Sequence, residues 1–521
     1  MSRIIRESLI WRLIAGLYAW YRRTLLARGV DALGRLWRQS GVYRLFARLL
    51  TAPTVTEKTG YGRLLDGLNR GLHRFGRVWR EDLETSFFRR IYAKLLSVLR
   101  GSRLLGWLFS GGITTTLLCV IAAFAVIDYL LRDVLQLAAI ASVWDEALLL
   151  IGFAWVIFRQ MRAASPVKSA ANATDLFLAF YLIAGVVILI WSRTNLAVNI
   201  TGYRASMQYI LVFFLVTRLL DNDSDFEIIY KLMVMIAFVI ALHGIYQFII
   251  GVEIPSEWTD QAEDSVRTRV FSIFSNPNIM GAYMLLFAPM AIGLAYATEN
   301  TAWKLFYWVC GLTMCVGCLF TMSRGAWLAL AIAAVIFAAV IDRKLLAIML
   351  VGGVCACFLP FVRSRISYLF TYEFVKSNAR GGRSMRWAKA LGYLDAYDRW
   401  TWGMGYGIYG GAVAAQNHIN LSLDYMYVDN YYVKILTENG IVGICSFGTM
   451  LLGFLWNGLR AIGRTSGSRF KPLCTGMFAG LVGILVHSIF ESLWEEPYMM
   501  ALFFAVAGML IYAGFLRRKE A

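Results

Sequence analysis

Twelve apolar runs, most of them close to twenty residues long, set the terms for this chain of 521 residues. A helix needs about twenty such residues to cross the hydrocarbon of a bilayer. The runs lie near 111–131, 139–159, 174–192, 203–220, 227–250, 278–297, 304–321, 325–342, 344–361, 431–458, 472–492 and 496–516. The second is the weakest, because Asp145 and Glu146 fall inside it. Between 304 and 361 the chain must turn sharply twice, and Ser323-Arg324-Gly325 and Asp342-Arg343-Lys344 supply the turns. Composition agrees with lipid as the solvent: 59% of residues are hydrophobic and only 16% charged, against about half and a quarter in a soluble domain. The fold class that follows is all-α, a polytopic membrane protein with about 12 transmembrane helices.

Charge divides the chain. Residues 1–110 hold 21 Lys and Arg against 7 Asp and Glu, so 14 of the net 18 positive charges lie there. Ile4, Ile5, Leu9, Ile10, Leu13, Ile14 and Leu17 recur at helical spacing, with Arg3, Arg6, Arg12, Arg22 and Arg23 between them. No window in this region is long and uncharged enough to span. The pattern is that of basic amphipathic helices lying in the cytoplasmic interface, with Pro53 and Gly60 marking a break. Such an arm is expected to meet anionic lipid headgroups, not nucleic acid. It makes a poor signal peptide, since Arg12 interrupts the apolar stretch and no small-residue cleavage site follows.

Lys and Arg in short loops set orientation. With the N-terminus cytoplasmic, Arg159, Arg162 and Lys168 fall inside, as do Arg343 and Lys344, then Arg460, Arg464, Arg469 and Lys471, and the tail Arg517, Arg518 and Lys519. An even number of spans returns the C-terminus to the same side. Asp221, Asp223, Asp225 and Glu227 are acidic yet inside, and a solvated loop is the expected reading. The division expected is a basic region over 1–110, helices 1–9 over 111–361, a large periplasmic loop over 362–430, and helices 10–12 with a short tail over 431–521. Two long loops, 251–277 and 362–430, fall outside, and long loops in compact structures are often functional.

The outer loops carry arginines where the charge rule disfavours them. Arg267 and Arg269 precede Phe274-Ser275-Asn276-Pro277-Asn278; Arg324 sits in the turn between two spans; Arg383 and Arg386 follow Gly381-Gly382. Guanidinium forks suit phosphate, so a phosphate on a lipid carrier is a natural partner. At the entry to the tenth run stands Val428-Asp429-Asn430-Tyr431, followed by Glu438 and by Gly440-Ile441-Val442-Gly443. Asp429 is placed to act as a general base, although an acid there also serves as a simple helix cap. His418 is the only histidine of the outer loops. His243, Gln247, His487 and Glu491 fall in the outer parts of spans, where polar groups either serve function or bond across helices. The eight cysteines lie in or beside apolar runs and read as small apolar residues, the Cys315–Cys318 pair included; no metal site is expected.

Taken in order, four stretches resemble the O-antigen ligase and O-antigen polymerase superfamily of bacterial membrane glycosyltransferases. They are Phe274-Ser275-Asn276-Pro277-Asn278 with Arg269 upstream; Ser323-Arg324-Gly325-Ala326-Trp327-Leu328; Gly382-Arg383 with Trp387 and then Trp402-Gly403-Met404-Gly405-Tyr406-Gly407; and Asp429-Asn430 nine residues ahead of Gly440-Ile441-Val442-Gly443. The resemblance covers roughly 170–515. It implies an inverting, metal-independent transfer without cofactor, from an undecaprenyl-diphosphate-linked glycan donor to a sugar or lipid-linked glycan acceptor. It also implies that Arg324 and Arg383 hold the diphosphate. Arg269 and Arg386 would support them, and Asn430 would orient the acceptor or Asp429. The family ligases place His where this chain has Asp429. A carboxylate can take the same proton, and the change favours a polymerase, or a ligase for another acceptor. His418 stays open as another base. A flippase or other transporter of lipid-linked glycan is the rival from another class, and a non-catalytic carrier-binding relative is a third reading.

Overall fold

The computed structural model describes residues 59–517 apart from 86, 102–111, 166–169, 193–194, 254–267, 275, 380–381, 418 and 420–426, with a few isolated positions before 59. The helical pattern expected before residue 59, Arg267 and His418 therefore lie outside the described residues. Everything regular among the described residues is helical.

Two basic helices come first, α1 (Gly60–Thr85) and α2 (Phe87–Arg100). Then follow α3 (Ile113–Ala122), α4 (Phe124–Tyr129) with a π turn at Leu130–Val134, the short α5 (Ala138–Ala141), α6 (Trp144–Arg162), α7 (Ala173–Ser192), α8 (Leu196–Met207), α9 (Ile210–Leu219) and α10 (Asp223–Ile250). The next group is α11 (Pro277–Ala297), α12 (Thr301–Phe320), α13 (Arg324–Val340) and α14 (Lys344–Cys357). Four short helices then stand where the long outer loop is expected: α15 (Pro360–Tyr368), α16 (Tyr372–Ala379), α17 (Arg383–Ala396) and α18 (Gly411–Gln416). The chain ends with α19 (Tyr431–Arg464), α20 (Phe470–His487) and α21 (Pro497–Ile511).

Among the described residues, seven helices are long and apolar enough to cross a membrane: α7, α10, α11, α12, α19, α20, and α21 with its continuation to Leu516. Two bent pairs raise this to nine if each is one span. The pair Ile113–Ala122 and Phe124–Val134 bends by 70°, and the pair Lys344–Cys357 and Val362–Tyr368 by 81°. Three further apolar runs take other forms. The run with internal acids begins at Trp144, so Asp145 and Glu146 occupy the first turn of α6, not its middle. The run at 203–220 breaks into α8 and α9 around Gln208 and Tyr209, and α13 has 17 residues.

Helices α11, α20 and α21 form the centre, with 89, 78 and 83% of their apolar windows buried, whereas α7 and α12 lie on the outside at 33%. Backbone proximity holds the centre together, as small residues allow when lipid supplies no hydrophobic drive. A Cβ at Gly476 of α20 would stand 2.6 Å from the Pro289 carbonyl oxygen of α11.

The polar ends of the bundle differ. At one end the acids of 221–227 are paired and not merely solvated. Arg159 meets Asp221 and Arg517 meets Asp223, both at 2.9 Å, Arg469 meets Glu227 at 2.7 Å, and Thr115 donates to Asp225 at 2.6 Å. The acids thus neutralise arginines of neighbouring segments. At the same end Tyr61 of α1 donates to Asp175 at 2.8 Å, and Asp175 also takes Arg218 at 2.7 Å. Helix α1 is thereby tied to the bundle. The opposite end gathers the segments around 269–278, 321–324, 360–430 and 488–496.

Candidate functional site

The site is built where α19 begins. Asn430 caps that helix, its side-chain oxygen accepting from the N–H groups of Tyr432 at 3.0 Å and Val433 at 3.1 Å. The cap fixes the residue before it: Asp429 has φ of 51°, a left-handed conformation that Asp tolerates better than most residues. Its carboxylate is aimed at α17. Arg386 Nη1 lies 2.7 Å from Asp429 Oδ2, and Arg383 Nε lies 3.8 Å from the same oxygen. Trp387 on the same face donates to the Val428 carbonyl at 2.9 Å. Positions 383, 386 and 387 follow helical spacing, so one face of α17 covers the start of α19.

A second carboxylate lies beside this one. Glu491, in the turn between α20 and α21, accepts from Asn278 Nδ2 at 2.6 Å. Asn278 in turn accepts from Arg269 Nη2 at 3.1 Å, and Arg269 Nε donates to the Thr321 carbonyl at 3.1 Å. Arg269 is buried, so its charge is spent on fixed partners. Burial, reinforced by the charge of Asp429, pushes the Glu491 carboxyl up to about 7, against the pull of Arg383 and the Asn278 hydrogen bond. Burial also raises Asp429; Arg383 and Arg386 oppose the rise and Glu495 adds to it. Two carboxylates and the Arg383 guanidinium thus share one electrostatic neighbourhood.

Arg324 opens α13, and Ser323 caps the helix. Its guanidinium lies over Tyr368 at 5.5 Å and Phe374 at 5.6 Å, a cation–π seat, and donates to the Arg365 carbonyl at 3.3 Å. Arg365 closes the loop by donating to Met322 O through Nε at 3.1 Å and Nη2 at 2.6 Å. The start of α13 reaches the Glu491 turn, for a Cβ at Gly325 would stand 2.9 Å from Phe490 Cβ.

Glu438 faces inward. It pairs with Lys434 at 3.1 Å, and Lys434 also meets Glu495 at 2.5 Å; both Glu438 and Lys434 are buried. Just beyond, α19 breaks at Gly440, with φ of 65°. Loop 400–405 enters the break: Ile441 N–H donates to Trp400 O at 2.7 Å, Met404 N–H to Thr437 O at 2.9 Å and Gly405 N–H to Glu438 O at 2.8 Å. Gly403, with φ of 71°, lies directly against the Glu438 backbone, where a side chain would collide.

The structure thus brings Arg269, Arg383, Arg386, Asp429 and Asn430 into one cluster, seats Arg324 at its edge, and puts Glu438 beneath it in an ion-paired role. Asn278, Glu491, Lys434, Glu495 and Arg365 belong to the assembly without having been chosen as site residues from the sequence. The signal for two of them was present, since Glu491, Glu495 and Glu496 crowd the short link between two apolar runs.

Residues 309–448 match the family model described as O-Antigen ligase. The matched segment includes Arg324, Arg383, Arg386, Asp429, Asn430 and Glu438; Arg269, Asn278 and Glu491 lie outside it. No curated protein matches the chain. The match supports an O-antigen-ligase-like function and a glycosyltransferase type of activity, and the apolar helices fit a multi-pass membrane protein of the inner membrane. Residues 309–448 thus carry the O-antigen ligase domain, which supports membership of the O-antigen ligase superfamily.

Proposed function

We propose that the protein transfers glycan from an undecaprenyl-diphosphate carrier to a sugar acceptor at the periplasmic face of the inner membrane, with inversion and without a metal. The observation that carries the reading is Asp429 held against Arg386 at 2.7 Å and Arg383 at 3.8 Å, at the end of the bundle where the arginines collect. The acceptor hydroxyl oxygen attacks the anomeric carbon, the carbon–oxygen bond to phosphate breaks, and its electron pair leaves with the diphosphate. The hydroxyl proton passes to Asp429, which stands in the outer loop and is partly open to solvent. Guanidinium groups stabilise the charge that develops on the leaving diphosphate; Arg383 and Arg324 are assigned to it, with Arg269 and Arg386 in support. Twelve spans and cytoplasmic termini complete the reading, and the basic arm rests on anionic headgroups of the cytoplasmic leaflet.

Glu491 is the second candidate base, favoured by a carboxyl that titrates near neutrality. The test is complementation of a strain whose surface glycan depends on this chain, using Asp429→Asn, Glu491→Gln and Arg383→Ala, with membrane levels checked and the glycan resolved on a gel. Failure of Asp429→Asn with short lipid-linked units identifies a polymerase, and failure with long unattached chains a ligase. Full-length glycan from all three variants removes the catalytic assignment and puts transport or binding ahead.

A further inference from the structure

One buried ammonium joins the three segments that carry the charges of the site. Lys434 lies in the first turn of α19, 7% exposed, and its Nζ meets Glu438 Oε1 on the same helix at 3.1 Å. It meets Glu495 Oε1 at 2.5 Å, on the link between α20 and α21 that also carries Glu491. It donates to the carbonyls of Tyr409 at 3.3 Å and Gly410 at 3.4 Å, in the loop that leads from α17 to α18. Glu438 holds the same loop by its other backbone group, Oε1 accepting from Tyr409 N–H at 3.3 Å. The loop lies so close to Glu495 that a Cβ at Gly411 would collide with the carboxylate.

From Tyr409 the contacts run on to α17. Its ring lies 5.5 Å from that of Tyr393, and it packs in one buried cluster with Ala390 of α17 and with Val428, the neighbour of Asp429. Arg383, Arg386, Ala390 and Tyr393 follow helical spacing. The face of α17 that rests on Tyr409 is therefore the face that presents both arginines to Asp429. A buried ion pair is a poor device for stability, since apolar residues of similar volume often serve as well or better. Directed bonds to four oxygens give what packing does not, a fixed register between the parts they join.

We infer that Lys434 is a positioning residue: by gripping the Tyr409 loop and Glu495 together, it sets α17 and the α20–α21 link against the start of α19, and so holds Arg383 and Arg386 at their distances from Asp429. It acts through Tyr409 and Tyr393, not by touching substrate. The inference rests on the proposed transfer and adds to it a residue that reaches the site through the outer loop.

The test reconstitutes full-length protein into membranes of a strain lacking this chain, which hold the accumulated lipid-linked glycan and its acceptor, and follows the initial rate of full-length glycan on a gel. Rates are compared at each variant's own pH optimum, so that the charge of Glu495 acting on Asp429 does not enter. Lys434→Met leaves two carboxylates without their counter-charge, and it is expected to lower the melting temperature and to cut the rate about tenfold or more, as small displacements of reacting groups do. Adding Glu438→Gln and Glu495→Gln makes the cluster neutral, and is expected to restore the melting temperature and leave the rate low. A rate that returns together with the melting temperature overturns the inference, for the cluster then serves the fold alone. Tyr393→Leu cuts the path further on; combined with the neutral cluster it is expected to add little loss, and losses that multiply overturn the inference. Should no Lys434 variant fold, Glu495→Gln decides: a rate severalfold lower at an unchanged melting temperature supports the inference, and a wild-type rate overturns it. Full rate from Lys434→Met overturns the inference alone and leaves the donor reading standing. Wild type that converts no lipid-linked glycan overturns both.

Discussion

At the scale of single residues, the site turns on the protonation of Glu491, which burial and the charge of Asp429 raise. With Glu491 near 7, its carboxylate fraction climbs as pH rises through neutrality. If that carboxylate takes part in the transfer, the rate of purified protein on a lipid-linked donor rises between about pH 6 and 8. Glu491→Gln is expected to flatten this limb; a limb that survives the substitution belongs to another group. Arg386 opposes the rise of Asp429, so Arg386→Ala is expected to move any Asp429-dependent limb to higher pH, and an unmoved profile would show that the 2.7 Å pair does not tune the base. The arginines were legible because the charge rule disfavours them in loops expected outside, and Asp429 because it stands where the tenth apolar run begins. Glu491 and His487 were visible only as polar residues near the end of an apolar run. Whether such a residue bonds across helices or faces a reaction depends on partners far away in the chain, as Glu491 depends on Asn278.

At the scale of elements, the break in α19 is the feature that most shapes the site. Backbone hydrogen bonds released at Gly440 are taken up by the 400–405 loop, so the lost helical bonds are replaced and not forfeited. Gly440→Ala forces a side chain into a left-handed conformation and against the Thr401 carbonyl, a cost on the order of 1–3 kcal/mol or more. It is expected to lower the melting temperature and to expose the 400–410 loop to protease. Gly448, in the same helix with nothing near its missing side chain, is the control, and Gly448→Ala is expected to be neutral or stabilising by up to about 1 kcal/mol. Equal losses from both would mean that the break is incidental. Periodicity located the apolar helices well, since a run of some twenty apolar residues has few alternatives. It located bends poorly. A count of apolar residues registers neither the 70° bend at Ala123 nor the division of α8 from α9, where Tyr209 bonds the distant Asp145.

At the scale of the whole molecule, polar staples at the two ends hold a lipid-embedded bundle in register. The staple that anchors the N-terminal arm is the most exacting. Asp175 has no exposed side-chain surface and answers both Arg218 and Tyr61. Asp175→Ala leaves a buried guanidinium without its counter-charge, a loss of about 3–5 kcal/mol in comparable settings. It is expected to lower the melting temperature sharply and to release α1 from α6, which faster proteolysis of α1 would report; unchanged proteolysis would mean that α1 is held by packing alone. The order of the site along the chain has a further consequence, for the timing of synthesis. The arginines at 269, 324, 383 and 386 are made before either carboxylate, and Asp429 and Glu491 both fall within about the last hundred residues. Chains fold as they emerge, N-terminal parts first. On the proposed assignment, a chain still on the ribosome has cations in place with no base to use them, and reactivity would come only when its last helices enter the membrane.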